Sequence, residues 1–249
     1  MYDEELFLGL RFYEIFFFLG LVAALIIFTV YSNKKKMPPN VQNFYLNLSI
    51  AAIAGGYLSA FLFQAIYNFF ATGVFKFEGI TFLGGLAGGA AVFLGGYKLF
   101  AKQSAKEYFS LAVEIAPCSI LIAHALGRIG CFMAGCCHGI QTDSIFGIQF
   151  PGDNFKVYPT QLFESIFLFI MFAVTTVLLF KNKNINFIVY LISYGIFRFL
   201  LEFIRGDYRG DFIIPFLSPS QTLSLAMVIL GGYLLYRKIQ KDKNINKIE

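Results

Sequence analysis

The 249-residue sequence is poor in charged residues, which make up 14% of the chain, whereas hydrophobic residues make up 57%. Soluble domains usually carry about 25% charged residues. The chain also has no Trp, only two His and only four Cys, but it has 32 Phe. This composition excludes a disordered chain, a small disulfide-stabilised protein and an ordinary cytosolic enzyme. It indicates an integral membrane protein.

Long apolar segments follow one another along the chain. A helix needs roughly 20 mostly apolar residues to cross the hydrocarbon core of a bilayer. Seven segments have about this length: 12–31, 47–70, 80–98, 111–133, 160–180, 185–204 and 220–236. We therefore predict an all-α integral membrane protein, a bundle of seven transmembrane helices that forms one polytopic domain over 1–249.

The segment 134–159 is the longest piece without this apolar character, and it predicts a small external loop region. Within it, Ile145, Phe146, Ile148 and Phe150 follow a partly alternating pattern that favours a short strand.

Basic residues predict how the chain is oriented. The loops after the first, third and fifth segments and the C-terminal tail hold 13 of the 20 Lys and Arg residues. Because basic loops stay in the cytoplasm, we expect an external N-terminus and a cytoplasmic C-terminus. Residues 1–11 lack the basic region of a cleaved signal peptide, so the first segment is predicted to be a retained helix. The lysines lie in short loops, and we expect no nucleic-acid partner.

Several ionisable residues interrupt the apolar segments, where a charge is costly and therefore indicates function. His124 and Arg128 are four residues apart, as are Arg198 and Glu202, so each pair shares one face of a helix. With the predicted orientation, the external half of the membrane holds Arg128, Arg198, Glu202, Arg205, Tyr158 and Glu164. We expect the arginines either to pair with the glutamates or to hold an anionic ligand. For Arg198 and Glu202 a purely structural ion pair explains the pattern equally well.

Arg128 is the strongest candidate for an anion site. Gly127 and Gly130 flank it and allow a neighbouring backbone or a lipid headgroup to come close. A guanidinium binds phosphate through two hydrogen bonds, and a phospholipid headgroup supplies phosphate at this depth, so we predict lipid chemistry. The run of small residues that begins at Gly84 and Gly85 indicates close helix packing instead.

Three of the four cysteines lie in the segment Cys131-Phe-Met-Ala-Gly-Cys136-Cys137-His138. Their spacing differs from the standard zinc motifs. A disulfide or packed thiols are expected in an oxidising compartment, whereas a catalytic thiol and a metal site are the other interpretations. We expect Cys118 to pack in the core and His138 to form hydrogen bonds within its loop.

The motifs around these residues resemble those of the prolipoprotein diacylglyceryl transferases. The matching runs are Ile115-Ala116-Pro117-Cys118, Gly127-Arg128-Ile129-Gly130-Cys131-Phe132-Met133-Ala134-Gly135, Tyr158-Pro159-Thr160-Gln161-Leu162-Phe163-Glu164, Tyr194-Gly195, Arg198-Phe199, Glu202-Phe203-Ile204-Arg205-Gly206-Asp207 and Ser220-Gln221. The run Arg11-Phe12-Tyr13-Glu14 is similar to the family's aromatic-Tyr-Gly element. Order, spacing and the seven-span topology agree over nearly the whole chain.

The resemblance implies a bacterial inner-membrane enzyme that uses phosphatidylglycerol or a similar anionic phospholipid. Such an enzyme moves the diacylglyceryl group onto the lipobox cysteine of a prolipoprotein signal peptide and releases glycerol phosphate, without a cofactor or metal. The resemblance matches Arg128 and Arg198 to essential arginines, Glu202 to a carboxylate that follows them, and Tyr13 to a tyrosine of the first membrane helix. We predict that the lipid phosphate is bound by Arg128, Arg198, Arg205 and Tyr13. Supporting motif positions are Gly127, Gly130, Gly84, Gly85, Tyr158, Gln161, Glu164 and Gln221.

The sequence departs from the family signature G-R-x-G-N-F-x-N-x-E, because Cys131, Ala134 and Cys136 occupy its Asn, Asn and Glu positions. Leu83 stands where the family has a histidine. Since a leucine cannot exchange a proton or donate a hydrogen bond, His124 and a thiolate of Cys131 or Cys136 are candidate substitutes.

Two alternative functions stay open at this point. One is a related lipid-headgroup transferase that acts on another acceptor. The other is a non-catalytic lipid-binding membrane protein with a thiol, disulfide or metal switch at Cys131, Cys136 and Cys137. A channel or transporter is disfavoured, because the intramembrane charges cluster at one depth instead of lining a path.

Overall fold

The computed structural model of the chain describes residues 11–75, 82–206 and 217–245. The acidic start of the chain at 1–10 and the motif residue Asp207 lie outside these ranges. The helices are α1 (Phe12–Lys34), α2 (Pro39–Thr72), α3 (Phe82–Phe100), α4 (Gln103–Glu107), α5 (Phe109–Met133), α6 (Thr160–Phe180), α7 (Asn186–Leu201) and α8 (Pro219–Ile245), with a 3-10 turn at Glu202–Ile204.

Six helices are long and apolar enough to cross a bilayer, counted over the described ranges. They are Phe12–Lys34, Pro39–Ile66, Phe109–Met133, Thr160–Phe180, Asn186–Ile204 and Pro219–Asn244. The predicted all-helical membrane protein is thereby confirmed, whereas the count of seven spans stays a prediction. The third predicted segment, 80–98, corresponds to α3, which has 19 residues.

The predicted helix boundaries agree with the structure where polar residues flank the apolar segment directly. They are too short where the helix continues into polar sequence. The fifth predicted segment coincides with α6. α2 begins eight residues before its predicted start of 47, at Pro39, because a proline at the first helical position lacks only an N–H that would have no partner there. α8 continues to Ile245 through charged residues, since main-chain hydrogen bonds do not require an apolar surface.

The chain divides into two compact units. The first unit comprises Met1–Phe28 and Val113–Glu249, and the second comprises Thr29–Ala112. The single domain predicted over 1–249 stays a prediction.

Small residues let α2 and α3 approach closely in the second unit. A Cβ atom added at Gly56 would lie 2.8 Å from the carbonyl oxygen of Gly85. The hydroxyl of Ser59 donates a hydrogen bond of 2.9 Å to the carbonyl of Gly84. Gly84 and Gly85 therefore serve helix packing, as the run of small residues predicts.

We expect Gly56→Ala to lower the thermal unfolding midpoint of the detergent-solubilised protein. The added methyl group meets backbone atoms that cannot rotate away, and overpacking of this kind costs about 1–3 kcal/mol. Gly95→Ala in α3 is the matched control, because no described atom lies within 4 Å of its added Cβ. The control gains up to about 1 kcal/mol of helix propensity. Equal midpoints for the two variants would contradict this account of the packing.

The first unit is built on a core shared by α5, α6 and α7. Leu121, Ala125, Leu168 and Met171 are buried at its centre. Aromatic and aliphatic side chains surround them, namely Phe167, Phe169, Phe172, Val189, Tyr190 and Tyr194. The main chain at Tyr13, near the start of α1, lies beside Gly130, near the end of α5, so these two helices run in opposite directions.

Buried hydrogen bonds join the same three helices at the other end of α5. The carboxylate of Glu114 accepts a hydrogen bond of 2.8 Å from the first main-chain N–H of α7, at Asn186. The Asn186 amide donates to the carbonyls of Glu114 and Thr175 at 3.1 and 2.8 Å. Cys118 is buried beside Thr175, with 3.5 Å between the sulfur and the hydroxyl oxygen, and so packs in the core as predicted.

The segment between α5 and α6 is an irregular loop. Isolated bridges pair Gln141 and Ile148 with Val157, and Gly139 with Arg205. The short strand predicted from the alternation at 145–150 is wrong, because Ile145 and Phe146 are exposed and Ile148 forms only a single bridge. Because these two exposed side chains do not cover a sheet, the partial alternation of apolar residues at 145–150 does not indicate a strand.

Candidate active site

A buried carboxylate joins three of the helices of the first unit. Glu164 in α6 has no exposed surface. Its Oε2 atom lies 2.9 Å from Nε of Arg128 in α5, at an ion-pair distance without the angle of an aligned hydrogen bond. Its Oε1 atom accepts a hydrogen bond of 2.8 Å from the hydroxyl of Tyr194 in α7 and lies 3.5 Å from Nε2 of His124. One carboxylate thus fixes the arginine and the histidine that the sequence places on one helix face.

A second ion pair lies at the end of α7. Nη2 of Arg198 is 2.7 Å from Oε2 of Glu202, and it donates a hydrogen bond of 3.0 Å to the hydroxyl of Ser220 in α8. Nε of Arg205 lies 4.0 Å from the same Glu202 oxygen. The pair does not itself join two helices, since Glu202 belongs to the turn that follows α7. Serines at the start of α8 make that connection.

The first turn of α8 holds Glu202 in place. Ser218 and Gln221 form a capping box, in which the Gln221 N–H donates to the Ser218 hydroxyl at 3.1 Å and the Ser218 N–H donates to the Gln221 side chain at 3.0 Å. The Ser218 hydroxyl in turn donates a hydrogen bond of 2.8 Å to Oε1 of Glu202. Gln221 therefore acts on the cluster through the helix cap.

We expect Ser218→Ala to destabilise the protein by about 1 kcal/mol through loss of the cap and to weaken activity further by freeing Glu202. Ser193→Ala in α7 is the matched control, because among the described residues that hydroxyl bonds only the carbonyl of Val189 on its own helix. The measurements are the thermal midpoint in detergent and the rate of the phospholipid reaction that the resemblance above implies. Equal turnover in the two variants would show that the cap does not position Glu202.

The two ion pairs belong to one charged cluster. The positive charges of both Arg128 and Arg198 act on Glu164, and the charges of Arg205 and Glu202 act on Arg198. Arg198 and Arg205 are buried, and Arg128 exposes 14% of its side chain. Nη1 of Arg198 is buried without a hydrogen-bond partner among the residues that the structure describes. A buried guanidinium donor of this kind favours a bound anion.

The three clustered cysteines are brought together by the end of α5. Gly135 is left-handed, with φ 71°, and its N–H donates to the carbonyl of Phe132 at 3.0 Å. The N–H of Cys136 donates to the carbonyl of Cys131 at 3.1 Å. This is the Schellman geometry, in which the side chains at the positions of Cys131 and Cys136 contact each other.

Neighbouring elements hold the cysteine loop. The Gln161 amide donates to the carbonyl of Cys136, and the Thr160 hydroxyl donates to the carbonyl of Cys137 at 2.9 Å. Cys137 is itself left-handed, with φ 61°, which costs a non-glycine residue about 1–3 kcal/mol. The N–H of Gly139 donates to the carbonyl of Tyr158 at 2.7 Å. The start of α6 thus supports both the loop and Glu164.

The loop lies within electrostatic reach of the arginines. Hydrogen bonds from the thiols of Cys131 and Cys136 lower the pKa of Cys137. The positive charges of Arg205 and Arg128 lower that pKa further, against the opposing effect of burial. The positive charges of the two arginines therefore favour a thiolate in this loop.

The structure brings most of the predicted site residues to one end of the first unit. These are Tyr13, His124, Arg128, Gly130, Cys131, Cys136, Cys137, Tyr158, Gln161, Glu164, Arg198, Glu202, Arg205 and Gln221. Gly84 and Gly85 belong to the second unit. No described atom lies within 4 Å of a Cβ added at Gly127, whereas one at Gly130 would meet the side chain of Phe16 at 3.0 Å. His138 contacts the carbonyl of Gly139 through Nδ1, which is the local role predicted for it.

The sequence assigns no role to three members of the site. Tyr194 belongs to a matched motif, but it is 30 positions from the carboxylate that it contacts, and no spacing rule links the two. Thr160 was part of a motif but had no assigned role. Ser218 had a readable signal, because Ser-Pro-Ser-Gln matches the capping-box pattern with proline at the first helical position.

Comparison with known proteins identifies the family. The model of the prolipoprotein diacylglyceryl transferase family matches residues 5–237. The phosphatidylglycerol–prolipoprotein diacylglyceryl transferase 2 of Clostridium perfringens is 37% identical over 69% of this chain and 64% of its own length, so the match spans less than two thirds of that relative. The transferases of Clostridium tetani and Rickettsia africae are each 32% identical over 87% of this chain and 88% and 89% of their own lengths.

These matches confirm the resemblance drawn from the motifs. They cover the charged cluster, the cysteine loop and the membrane helices together. The chain belongs to the prolipoprotein diacylglyceryl transferase family.

Proposed function

We propose that this protein is a membrane transferase that moves a diacylglyceryl group from phosphatidylglycerol, or a similar anionic phospholipid, to the lipobox cysteine of a prolipoprotein, with release of glycerol phosphate. The relatives from both Clostridium species and from Rickettsia carry this activity in their names. Membership of their family agrees with the transferase function that the motifs predict.

The observation that carries the proposal is the buried Nη1 of Arg198, which has no partner among the described residues. A buried donor left without an acceptor costs about 1–3 kcal/mol. A phosphodiester carries one negative charge and free oxygens, and it satisfies this donor.

The arginines then stabilise the charge that develops during transfer. The acceptor thiolate attacks the glycerol carbon that carries the phosphate, a C–S bond forms, and the C–O bond to phosphate breaks. The electron pair of that bond goes to the phosphate oxygen of the leaving glycerol phosphate. Arg128 and Arg198, fixed by Glu164 and Glu202, stabilise this negative charge electrostatically. His124 and a thiolate of the cysteine loop are the proposed bases that take the proton from the lipobox thiol.

We further propose a place and orientation in the cell. The protein is a multi-pass protein of the bacterial inner membrane, and α3 is a seventh span in addition to the six long helices. The basic loops and C-terminal tail lie in the cytoplasm and the N-terminus lies outside. This orientation places the charged cluster on the external side, where the signal peptide of a translocated prolipoprotein presents its lipobox.

The test uses the purified protein in phosphatidylglycerol liposomes with a labelled lipobox peptide. We expect diacylglyceryl transfer to the peptide and an equal amount of glycerol phosphate, measured by mass spectrometry. A peptide with serine in place of the lipobox cysteine is the control and should stay unmodified. Glycerol phosphate without modified peptide would assign another acceptor, whereas absence of both products would overturn the transferase proposal.

A further inference from the structure

The thiols of Cys131, Cys136 and Cys137, here called the thiol cluster, converge like the ligands of a metal ion. Their three Sγ atoms all lie within 4.8 Å of one another, and all three thiols are free. In a tetrahedral zinc site with Zn–S distances of about 2.3 Å, the sulfurs are about 3.8 Å apart. Shifts of about 1 Å therefore bring the cluster to ligand geometry.

The main chain builds the thiol cluster independently of any metal. The left-handed residue Gly135 turns the chain so that Cys136 returns over Cys131. The left-handed conformation of Cys137 brings the third sulfur to the other two. Hydrogen bonds from Thr160 and Gln161 to the loop carbonyls hold this arrangement. A preformed loop of this kind loses little conformational freedom when it binds a ligand.

The thiol cluster is also accessible, in contrast to the remaining cysteine. Cys136 is exposed and Cys137 is half-buried, whereas Cys118 is fully buried against Thr175. No fourth side chain joins the group within the described ranges. Three protein ligands with an open fourth position are typical of catalytic zinc sites, whereas structural sites have four.

We propose that the thiol cluster binds Zn²⁺ and that the acceptor thiol enters as the fourth ligand. Thiolates are the soft ligands that Zn²⁺ prefers, and this ion has no redox chemistry that would consume them. The proposal rests on the transferase function proposed above. It places the acceptor beside the lipid phosphate, because Arg128 and Arg205 lie within electrostatic reach of Cys137. Tyr13 lies within the same reach of the three thiols and Arg128.

The metal solves a chemical problem of the transfer. A free thiol is mostly protonated at neutral pH, and the thiolate is the nucleophile. A thiol that binds Zn²⁺ loses its proton, which passes to solvent, and forms an S–Zn bond. Its sulfur then attacks the glycerol carbon: the S–Zn bond gives way, the C–S bond forms, and glycerol phosphate leaves with the electron pair of the C–O bond. No group is oxidised or reduced.

Metal binding is tested on the full-length protein in detergent, under reducing conditions, with Co²⁺ as a spectroscopic probe and Zn²⁺ as competitor. We expect one Co²⁺ per chain, with the ultraviolet charge-transfer absorption of cobalt–thiolate bonds, and its displacement by one equivalent of Zn²⁺. Cys131→Ser, Cys136→Ser and Cys137→Ser should each weaken binding by about 10-fold or more. Cys118→Ser, the matched control, should leave it unchanged. Circular dichroism and gel filtration establish that each variant is folded.

The acceptor role has its own readout. Addition of the lipobox peptide should change the visible cobalt spectrum, and the peptide with serine in place of cysteine should not. Absence of bound cobalt from folded wild-type protein overturns the metal site, as does equal binding by Cys118→Ser and the three cluster variants. Full transfer activity of the cluster variants, or of protein treated with a chelator, also overturns the proposal while leaving the transferase function intact. A peptide-dependent spectrum in protein that transfers no lipid supports the metal and acceptor site and refutes the transferase function alone.

Discussion

Replacement of Arg128 by alanine should lower kcat/KM for diacylglyceryl transfer by about 10³-fold, the upper range seen when one donor to a developing anion is removed. The reason is the position of its guanidinium. Nε is held by Glu164 at 2.9 Å, and the side chain keeps 14% of its surface exposed in an otherwise buried cluster. Glu164 therefore orients the guanidinium without covering it, and the exposed part can meet a phosphate. The measurement is the initial rate of glycerol phosphate release in phosphatidylglycerol liposomes.

Two companion variants separate charge from geometry. Arg128→Lys keeps the positive charge but loses the planar fork that binds two phosphate oxygens, so we expect an intermediate loss. Arg237→Ala in α8 is the control, because that guanidinium contacts only Tyr233 of its own helix among the described residues. Wild-type rates for Arg128→Ala would exclude Arg128 from the phosphate site.

The sequence predicts the parts of this site that lie on one helix. His124 and Arg128 share a face because they are four residues apart, and both do contact the same carboxylate. Arg198 and Glu202 pair for the same reason. Helical periodicity is a local property, so these relationships need no knowledge of how helices pack.

Contacts between different helices cannot be predicted from helical periodicity. The spacing does not tell which glutamate Arg128 meets, because Glu164 lies on α6 and is brought to it by the packing of Leu121, Ala125 and Leu168. The thiol cluster is predictable from the sequence only in part. The helix-ending Gly135 and the spacing of Cys131 and Cys136 are visible in the sequence, yet the left-handed conformation of Cys137 depends on support from another helix.

The largest effect on stability is expected for Glu164→Gln, which should destabilise the protein by about 3–5 kcal/mol. Glutamine preserves the shape and still accepts a hydrogen bond from Tyr194. It removes the negative charge, however, and Arg128 then remains in a mostly buried site without its ion-pair partner. The measurement is the unfolding free energy in detergent. Glu107→Gln is the control, because that carboxylate is exposed on the short helix α4.

The double variant Arg128→Gln with Glu164→Gln shows whether the loss comes from the uncompensated charge. Removal of both charges should restore part of the stability lost in Glu164→Gln, because neither side chain is then a buried ion without a partner. Transfer should stay at the level of Arg128→Ala, since the phosphate has lost its guanidinium. Recovery of stability without recovery of activity assigns Glu164 to positioning and Arg128 to the reaction. A double variant no more stable than Glu164→Gln would instead mean that Glu164 acts through the Tyr194 hydroxyl and His124, independently of the arginine.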